Sequence, residues 1–259
     1  MNYYNQLQLR EIFHLEFLRR LGQKLKVGHY VLKGGVNLRF FFHSRRYSED
    51  MDLDVKTIGV KPLQDIVMAI LQQSALADVL KSFGIERVIA PDISRAKQTE
   101  TTQRFKIHLV TLSEEDLFTK IEFSRRGFSG TPIIESVSSA VLRGYKAPPL
   151  IVPHYDSLCA MHQKVKALAG RPVSQARDIF DIFLLSTQYQ KNTADKIKIS
   201  ASRLKQALDN LYSISFTQFA QTVLAYLEPE EKNVYNNEKA FDEIKLRVVD
   251  FIEELKNHG

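Results

Sequence analysis

The chain has little that would cross-link it or hold it in a lipid phase. Cys159 is its single cysteine, which excludes an internal disulfide and any cysteine-based zinc cluster. A reducing cytoplasm is the expected compartment. No apolar run approaches the ~18 residues that a membrane span needs. Residues 1–6 lack the basic start and apolar stretch of a signal peptide, so a cytoplasmic protein with no membrane partner is expected. Three phosphate and metal motifs are also missing: no G-x-x-x-x-G-K-[ST], no G-x-G-x-x-G and no H-E-x-x-H occurs. There are no internal repeats and no low-complexity tracts.

What is present is an ordinary soluble composition. The 259 residues are 44% hydrophobic and 25% charged, enough for one large domain or two modest ones. Net charge is +6 and the sequence pI about 9.2. That sign favours a polyanionic partner, nucleic acid first, although mildly basic proteins without such a partner are common.

Periodicity divides the chain into two halves. Residues 7–25 place Leu9, Ile12, Phe13, Phe17, Leu18 and Leu21 at helical spacing. A short strand at 29–32 and a short helix at 34–42 follow, then a strand at 51–56. Residues 64–80 read as one amphipathic helix introduced by Pro62. Residues 85–90, 104–112 and 117–124 read as three more strands. The stretch 127–153, rich in Gly, Ser and Pro, reads as loop and as the domain boundary. Beyond it the pattern is helical at 157–170, capped by Asp156 or Ser157, and at 176–188, 197–211, 216–227 and 238–256. The expected fold is therefore mixed α/β (α+β), with a sheet-and-helix domain over 1–150 and a helical bundle domain over 151–259.

One stretch carries the chemistry. Lys33-Gly34-Gly35 leads into an apolar helix, and a polar turn then leads into Asp50-Met51-Asp52-Leu53-Asp54-Val55. In a strand, residues two apart share a face, so Asp50 and Asp52 emerge together while Met51 and Leu53 are buried. Two carboxylates that close repel each other unless a cation sits between them. A hard divalent ion such as Mg²⁺ (or Mn²⁺) resolves that repulsion and keeps positions for a nucleotide's phosphates. A helix N-terminus preceded by glycines offers backbone N–H groups to a phosphate. By itself a Gly-Gly pair reads first as a tight strand-to-helix turn. Followed by Asp50-x-Asp52 on a strand, it reads as a site for a nucleoside triphosphate (NTP). Asp54 shares the parity of Asp50 and Asp52 but lies further along the strand, with a structural and a functional reading both open.

Lys33-Gly34-Gly35 followed by Arg46-Tyr47-Ser48-Glu49-Asp50-Met51-Asp52 resembles the first motif of the AbiEii/AbiGii-type nucleotidyltransferase toxins, within the DNA polymerase beta-like superfamily. Lys120-Ile121-Glu122-Phe123 resembles the strand bearing the superfamily's third carboxylate. Lys164-Val165-Lys166-Ala167-Leu168, Arg171 and Arg177-Asp178-Ile179-Phe180-Asp181 resemble the family's later motif. The matches span residues 31–185. The resemblance implies a two-domain, NTP-dependent nucleotidyltransferase of a type IV toxin–antitoxin system, its helical domain completing the cleft. It also implies pyrimidine nucleotides placed on the 3′ end of tRNA, or another RNA acceptor, and a cognate antitoxin encoded nearby. The family's usual Thr after the two glycines is Val36 here, so that phosphate contact would fall to the backbone or Asn37.

On this basis Asp50, Asp52 and Glu122 are the expected metal ligands. Glu122 either holds a metal or helps deprotonate the attacking 3′-hydroxyl. Lys33, Gly34, Gly35 and Ser48 are expected around the nucleotide, with Ser48 alternatively capping the turn before Asp50. Lys164 and Arg171, two helical turns apart, share a face. Lys164 would bind the triphosphate, or else belong to an ordinary cationic surface. Asp178 joins the catalytic set by family likeness, and Arg177 with Asp181 could form an i, i+4 bridge. Arg45-Arg46 and Arg125-Arg126 read as a basic rim for RNA phosphates or as plain solvated surface. His43, His108 and His162 read as structural. The rival readings are a nucleotidyltransferase acting on a protein side chain, a non-catalytic nucleotide- or partner-binding relative, and a metal-dependent nuclease.

Overall fold

The structure is a computed structural model and describes residues 4–188 and 199–257. It divides into two compact units: Met1–Phe41 with Tyr47–Tyr155, and Phe42–Arg46 with Asp156–Gly259. The first unit is built on a seven-stranded sheet. Its strands are β1 (Tyr30–Lys33), β2 (Asp50–Val55), β3 (Ile85–Ile89), β4 (Thr102–Thr111), β5 (Asp116–Ser124), β6 (Pro132–Ser136) and β7 (Ile151–Tyr155), in the order β3-β4-β5-β2-β1-β7-β6. β2 runs parallel to β5 and β1 parallel to β7, and the other neighbours are antiparallel.

The alternation in β2 works as the pattern requires. Met51, Leu53 and Val55 are buried, as are Leu117, Thr119, Ile121 and Phe123 of β5 and Phe105, Ile107 and Leu109 of β4. Each fully buried aliphatic or aromatic side chain contributes about 1.5–3 kcal/mol relative to exposure. These residues share one core with α1 (Gln6–Lys24), α3 (Val60–Leu71) and α4 (Ser74–Ser82). α1 opens with a capping box: Asn5 accepts from the Leu7 and Gln8 N–H groups, and the Gln8 side chain accepts from the Asn5 N–H. Its middle is buried all round, so its charged residues need partners. Glu11 accepts from Arg39 at 2.7 Å and from the Tyr145 hydroxyl at 2.5 Å, and Arg20 donates to Glu16 at 2.7 Å.

Two sequence expectations fail here for identifiable reasons. The helix expected over 64–80 is two helices, α3 and α4. Leu63, Val67 and Ile70 lie on one side of a regular helix, but Leu76 and Leu80 would fall on the opposite side. The break at Gln72 and Gln73 lets both groups reach the core, where all five are fully buried. The stretch 127–153, read as loop, holds β6, α5 (Ser139–Gly144) and most of β7. Pro153 lies within β7, which is hydrogen-bonded between β1 and β6, an uncommon place for a proline. The first unit therefore runs to Tyr155, five residues beyond the expected boundary.

The second unit consists, among its described residues, of α6 (Ser157–Gly170), α7 (Ala176–Thr187), α8 (Ala201–Tyr212), α9 (Phe216–Thr222), α10 (Pro229–Tyr235) and α11 (Glu238–Asn257). Asp156 caps α6 by accepting from the Cys159 N–H at 2.8 Å. Val165, Leu168, Ile179, Ile182, Leu211, Phe219, Val248 and Ile252 form its interior. The helix expected over 197–211 begins outside the described residues, and its described part is α8. The helix expected over 216–227 is α9 followed by a 3₁₀ turn at Leu224–Tyr226. Short α10, opened by Pro229, was not read from the pattern. No single described helix is long and apolar enough to cross a membrane.

Between them, α2 (Gly34–Phe41) and β2 position the stretch that carries the chemistry. Both belong to the first unit, except that the link from Phe42 to Arg46 belongs to the second.

Candidate active site

The face of the sheet opposite the core carries charge in rows. In one row Lys33 of β1 stands opposite Asp52, Asp52 beside Glu122 of β5, and Glu122 opposite Arg104 of β4. In the next row Asp50 stands beside Lys120, itself opposite Lys106. On the other side Asp54 stands beside Ser124. Cross-strand neighbours have Cβ atoms about 5 Å apart. The register thus brings the three expected metal ligands, Asp50, Asp52 and Glu122, onto one patch.

Two of these acids are matched by cations. The Lys120 ammonium lies 2.9 Å from Asp50 Oδ2, and Arg104 Nε donates to Glu122 Oε2 at 2.7 Å. Asp52 has no hydrogen-bond or ion-pair partner among the described residues. Burial raises its carboxyl above the usual range; Lys33 and Lys120 pull it down, while Glu122 and Asp50 push it further up. Lys33, opposite Asp52, is turned to Asp54, with Nζ 2.5 Å from Oδ1. Asp54 also accepts the Tyr155 hydroxyl at 2.7 Å and is almost fully buried. Its contacts hold Lys33 and β7, which is what the structural reading requires.

Gly34 is required where it stands. Its φ is +71°, in the region that favours glycine, and a Cβ there would lie 2.8 Å from Asp52 Oδ2. The helix that starts here, α2, has first-turn N–H groups without intrahelical acceptors. The chain thus brings such N–H groups, beginning at Gly34 and Gly35, close to the Asp52 carboxylate. The Ser48 hydroxyl donates to the Asp50 carbonyl at 2.8 Å and so holds the entry to β2. That is the capping alternative, and its proton is spent there. Asn37 is not available as a phosphate ligand. It is fully buried, donates to the Tyr155 carbonyl at 3.0 Å and pairs with His154 Nδ1 at 2.9 Å, while Val36 lies in the core. Side-chain contacts from 36 and 37 are thereby excluded, and the backbone alone remains.

In the second unit, Lys164, Arg171 and Asp178 do come together. Lys164 Nζ lies 3.2 Å from Asp178 Oδ1 and 2.6 Å from Asp181 Oδ2, and Arg171 Nε lies 2.7 Å from Asp178 Oδ2. Arg46 grips both Asp181 oxygens through Nη2, at 3.0 and 3.1 Å. Asp181 thus pairs with Arg46 and Lys164 rather than with Arg177. Burial tends to raise the Asp181 carboxyl, but Arg46 and Lys164 hold it below the usual range. Both aspartates are fully buried. Arg171 is the most open of the three cations, 37% exposed. Arg46, expected on a basic rim, is buried because Asp181 lies within reach. Arg125 is tied to Gln103 Oε1 at 3.0 Å and to the Ile58 carbonyl at 2.5 Å.

Of the three histidines read as structural, His108 has a defined side-chain partner, and His14, outside that set, is the more prominent. His108 pairs with Asp116 at 2.9 Å. His14 is fully buried, and burial, then Arg10, lowers its pKa to about 3. Its Nε2 meets the Thr119 hydroxyl at 2.9 Å, which donates to the Glu49 carbonyl at 2.6 Å. Neutral His14 therefore donates to Thr119 and fixes the backbone just before Asp50.

The donor set suits a hard divalent cation in type: three carboxylates on one patch, one of them without an ion-pair partner. Their side chains do not converge as they stand. Among the described residues no three His, Cys, Asp or Glu side chains are grouped to hold a metal. Sequence reasoning missed Arg104 as the partner of Glu122, Lys120 as the partner of Asp50, and Tyr155. The signals were the parity of Lys120 with Glu122 and the β4–β5 register, and the register is not written in either strand alone.

Comparison with known proteins gives the family and the fold. A family model described as "Nucleotidyl transferase AbiEii toxin, Type IV TA system" matches residues 16–248. No curated protein sequence matches significantly. Among solved structures, MenT4, a nucleotidyltransferase toxin from Mycobacterium tuberculosis H37Rv, aligns with TM-score 0.64 at 15% identity, over 97% of this chain and 84% of its own. JHP933 from Helicobacter pylori aligns with TM-score 0.61 at 18% identity, over 99% and 95%. At these identities the structural likeness speaks for the fold alone.

Proposed function

The chain belongs to the AbiEii nucleotidyl transferase toxin family of type IV toxin–antitoxin systems, and from that premise we propose that it uses Mg²⁺ to transfer nucleotides from an NTP to the 3′ end of tRNA. It is a nucleotidyltransferase toxin by family, and family membership implies a cognate antitoxin. What supports the finer reading is the row Lys33–Asp52–Glu122–Arg104 with Gly34 against Asp52. Asp50, Asp52 and Glu122 are the residues that would hold the ion. When bound, Mg²⁺ would neutralise the phosphates and make the α-phosphate more electrophilic.

The remaining work falls to the chain itself. The first N–H groups of α2 bind phosphate oxygens at close range because Gly34 lacks a Cβ. Lys33, fixed by Asp54, places positive charge beside them. Glu122, where it does not hold the ion, would take the proton of the attacking 3′-hydroxyl, whose oxygen then bonds to the α-phosphorus as pyrophosphate leaves. In the helical unit, three cations face two carboxylates. That surplus is of the sign a phosphate takes, and we assign phosphate binding to it through Arg171. The basic overall charge suits an RNA acceptor, and the cytoplasm is where tRNA and NTP are both supplied.

The test is incubation with total tRNA, Mg²⁺ and each labelled NTP in turn, beside Asp52→Asn. Label on intact tRNA, absent with the variant, is expected. Label on a protein pool, shortened RNA, or nucleotide binding with no transfer would each overturn the tRNA assignment.

A further inference from the structure

Three acids share one patch, yet they do not close into a metal cage. The reason lies in two cations from the same sheet. Lys120 stands two residues before Glu122 on β5, opposite Lys106. Repulsion from that like charge favours turning its ammonium to Asp50, where it lies 2.9 Å from Oδ2. Arg104, opposite Glu122, draws that carboxylate outward along the row, with Nε and Nη2 both 2.7 Å from Oε2. Asp52, between them, is left without a partner. The two acids flanking it are thus each held by a neighbour.

We propose that Lys120 and Arg104 are counter-ions which a divalent cation must displace, holding Asp50 and Glu122 apart until it arrives. The inference rests on the metal-dependent reading of this site and adds to it a coupling between its ligands. Both pairs are partly exposed, with the acids 28% and 25% exposed, so neither is a strong contact. A divalent ion at Asp52 offers each acid a doubly charged partner and wins the exchange. Once displaced, the Lys120 ammonium and Arg104 guanidinium sit at the edge of the same patch, where a triphosphate brings its charge. Cation first, triphosphate second is then the favoured order, and each ligand strengthens the other.

The experiment is Mn²⁺ titration of the intact protein, followed by electron paramagnetic resonance of unbound Mn²⁺, with no nucleotide present. Lys120→Met and Arg104→Met keep the apolar stems and remove the charge. Each is expected to bind Mn²⁺ about threefold tighter than the starting protein, and the double variant about tenfold tighter. Lys120→Arg, which restores the charge, is expected to return to the starting affinity. In the double variant the gain in triphosphate affinity on adding Mn²⁺ is expected to shrink. Unchanged or weaker Mn²⁺ binding in folded variants, judged by circular dichroism, would overturn the proposal. Should Lys120→Met not fold, Arg104→Met decides alone, since Arg104 is 37% exposed. If neither the starting protein nor any variant binds Mn²⁺, the metal reading of the site itself fails, which is a different result from binding that does not tighten.

Discussion

Two clusters of aspartate and basic residues occupy the two units, and they are opposites. On the sheet, Asp52 is unpaired and its carboxyl is pushed up; the acids beside it have one partly exposed partner each. On α6 and α7, Asp181 is fully buried between Arg46 and Lys164, and its carboxyl is pulled down. The first cluster leaves one acid, Asp52, without a cation of its own, and the second has three cations for two acids. An acid left without a cation of its own suits a positively charged ligand, whereas a buried ion-paired network holds the fold and leaves only its open edge, Arg171, to a phosphate. Family likeness would have called Asp52 and Asp178 equally catalytic. Their surroundings differ: Asp178 is buried beside Lys164 and Arg171, at 3.2 and 2.7 Å, though its Oδ2 accepts no hydrogen bond there.

The largest expected effect tests that separation. Asp52→Asn removes the charge that the proposed divalent ion would need, which is worth several kcal/mol of transition-state stabilisation. Nucleotide transfer should fall about a thousandfold. The melting temperature should hold or rise, since a partnerless carboxylate has gone. A loss of transfer that merely follows a fall in melting temperature would make Asp52 a structural residue. Asp181→Ala is the mirror image. It takes from buried Arg46 its carboxylate and leaves Lys164 with Asp178 alone, at a cost of about 3–5 kcal/mol, read as a lower urea midpoint. If the two variants exchanged these signatures, the contrast drawn between the units would be reversed.

Acid should separate the units as well. His14 has a folded pKa of about 3 against an ordinary 6.5, so the folded state binds fewer protons than the unfolded one. Its stabilising contribution is complete above pH 6.5 and is lost as pH falls towards 3, at up to about 1.4 kcal/mol per pH unit. Asp181, with its folded pKa lowered, keeps its contribution above its ordinary 3.8 and loses it below. Protection from hydrogen exchange should therefore weaken between pH 6 and 4 in α1 and β5 before it weakens in α6 and α7. His14→Gln should flatten the first decline.

Much of the sheet cluster was legible because its signals are local. The alternation in Asp50-Met51-Asp52-Leu53 fixes a face within one strand, and Lys33-Gly34-Gly35 marks the turn that meets it. What the chain hides is pairing across distance. Arg104 is 18 residues from Glu122, and Arg46 is 135 from Asp181. No periodicity reports such partners, so Arg46 read as a surface charge and Asp181 as a partner for Arg177. The same limit concealed β7, a strand with Pro153 inside it that two neighbours hold in place. Where local pattern and packing conflict, as at Leu76 and Leu80, packing decides and the helix breaks.

Gly34→Ala probes how closely the glycine turn serves the unpaired acid. The substitution forces an L-residue into φ +71° and sets a methyl 2.8 Å from Asp52 Oδ2. The backbone strain costs about 1–2 kcal/mol. Transfer should fall by tenfold or more, further than the lost stability explains, because the carboxylate must move. If transfer and stability fell in proportion, the close approach would matter to folding alone.

The smallest effect concerns the boundary between satisfied and unsatisfied acids within the sheet itself. Asp54 lies two residues from Asp52 yet behaves like Asp181, with Lys33 on one oxygen and the Tyr155 hydroxyl on the other. That hydroxyl also accepts from the Ser129 N–H at 2.8 Å. Tyr155→Phe removes both contacts and keeps the buried ring, so it should cost about 1–2 kcal/mol in the urea midpoint. Lys33 still holds Asp54, and Asp52 is not touched, so transfer should change by less than about threefold. A loss as deep as that of Asp52→Asn would mean that Asp54 sets the position of Lys33 during the reaction. The acid row would then be one functional unit of three aspartates, and the line between ligand and scaffold would run beyond β2.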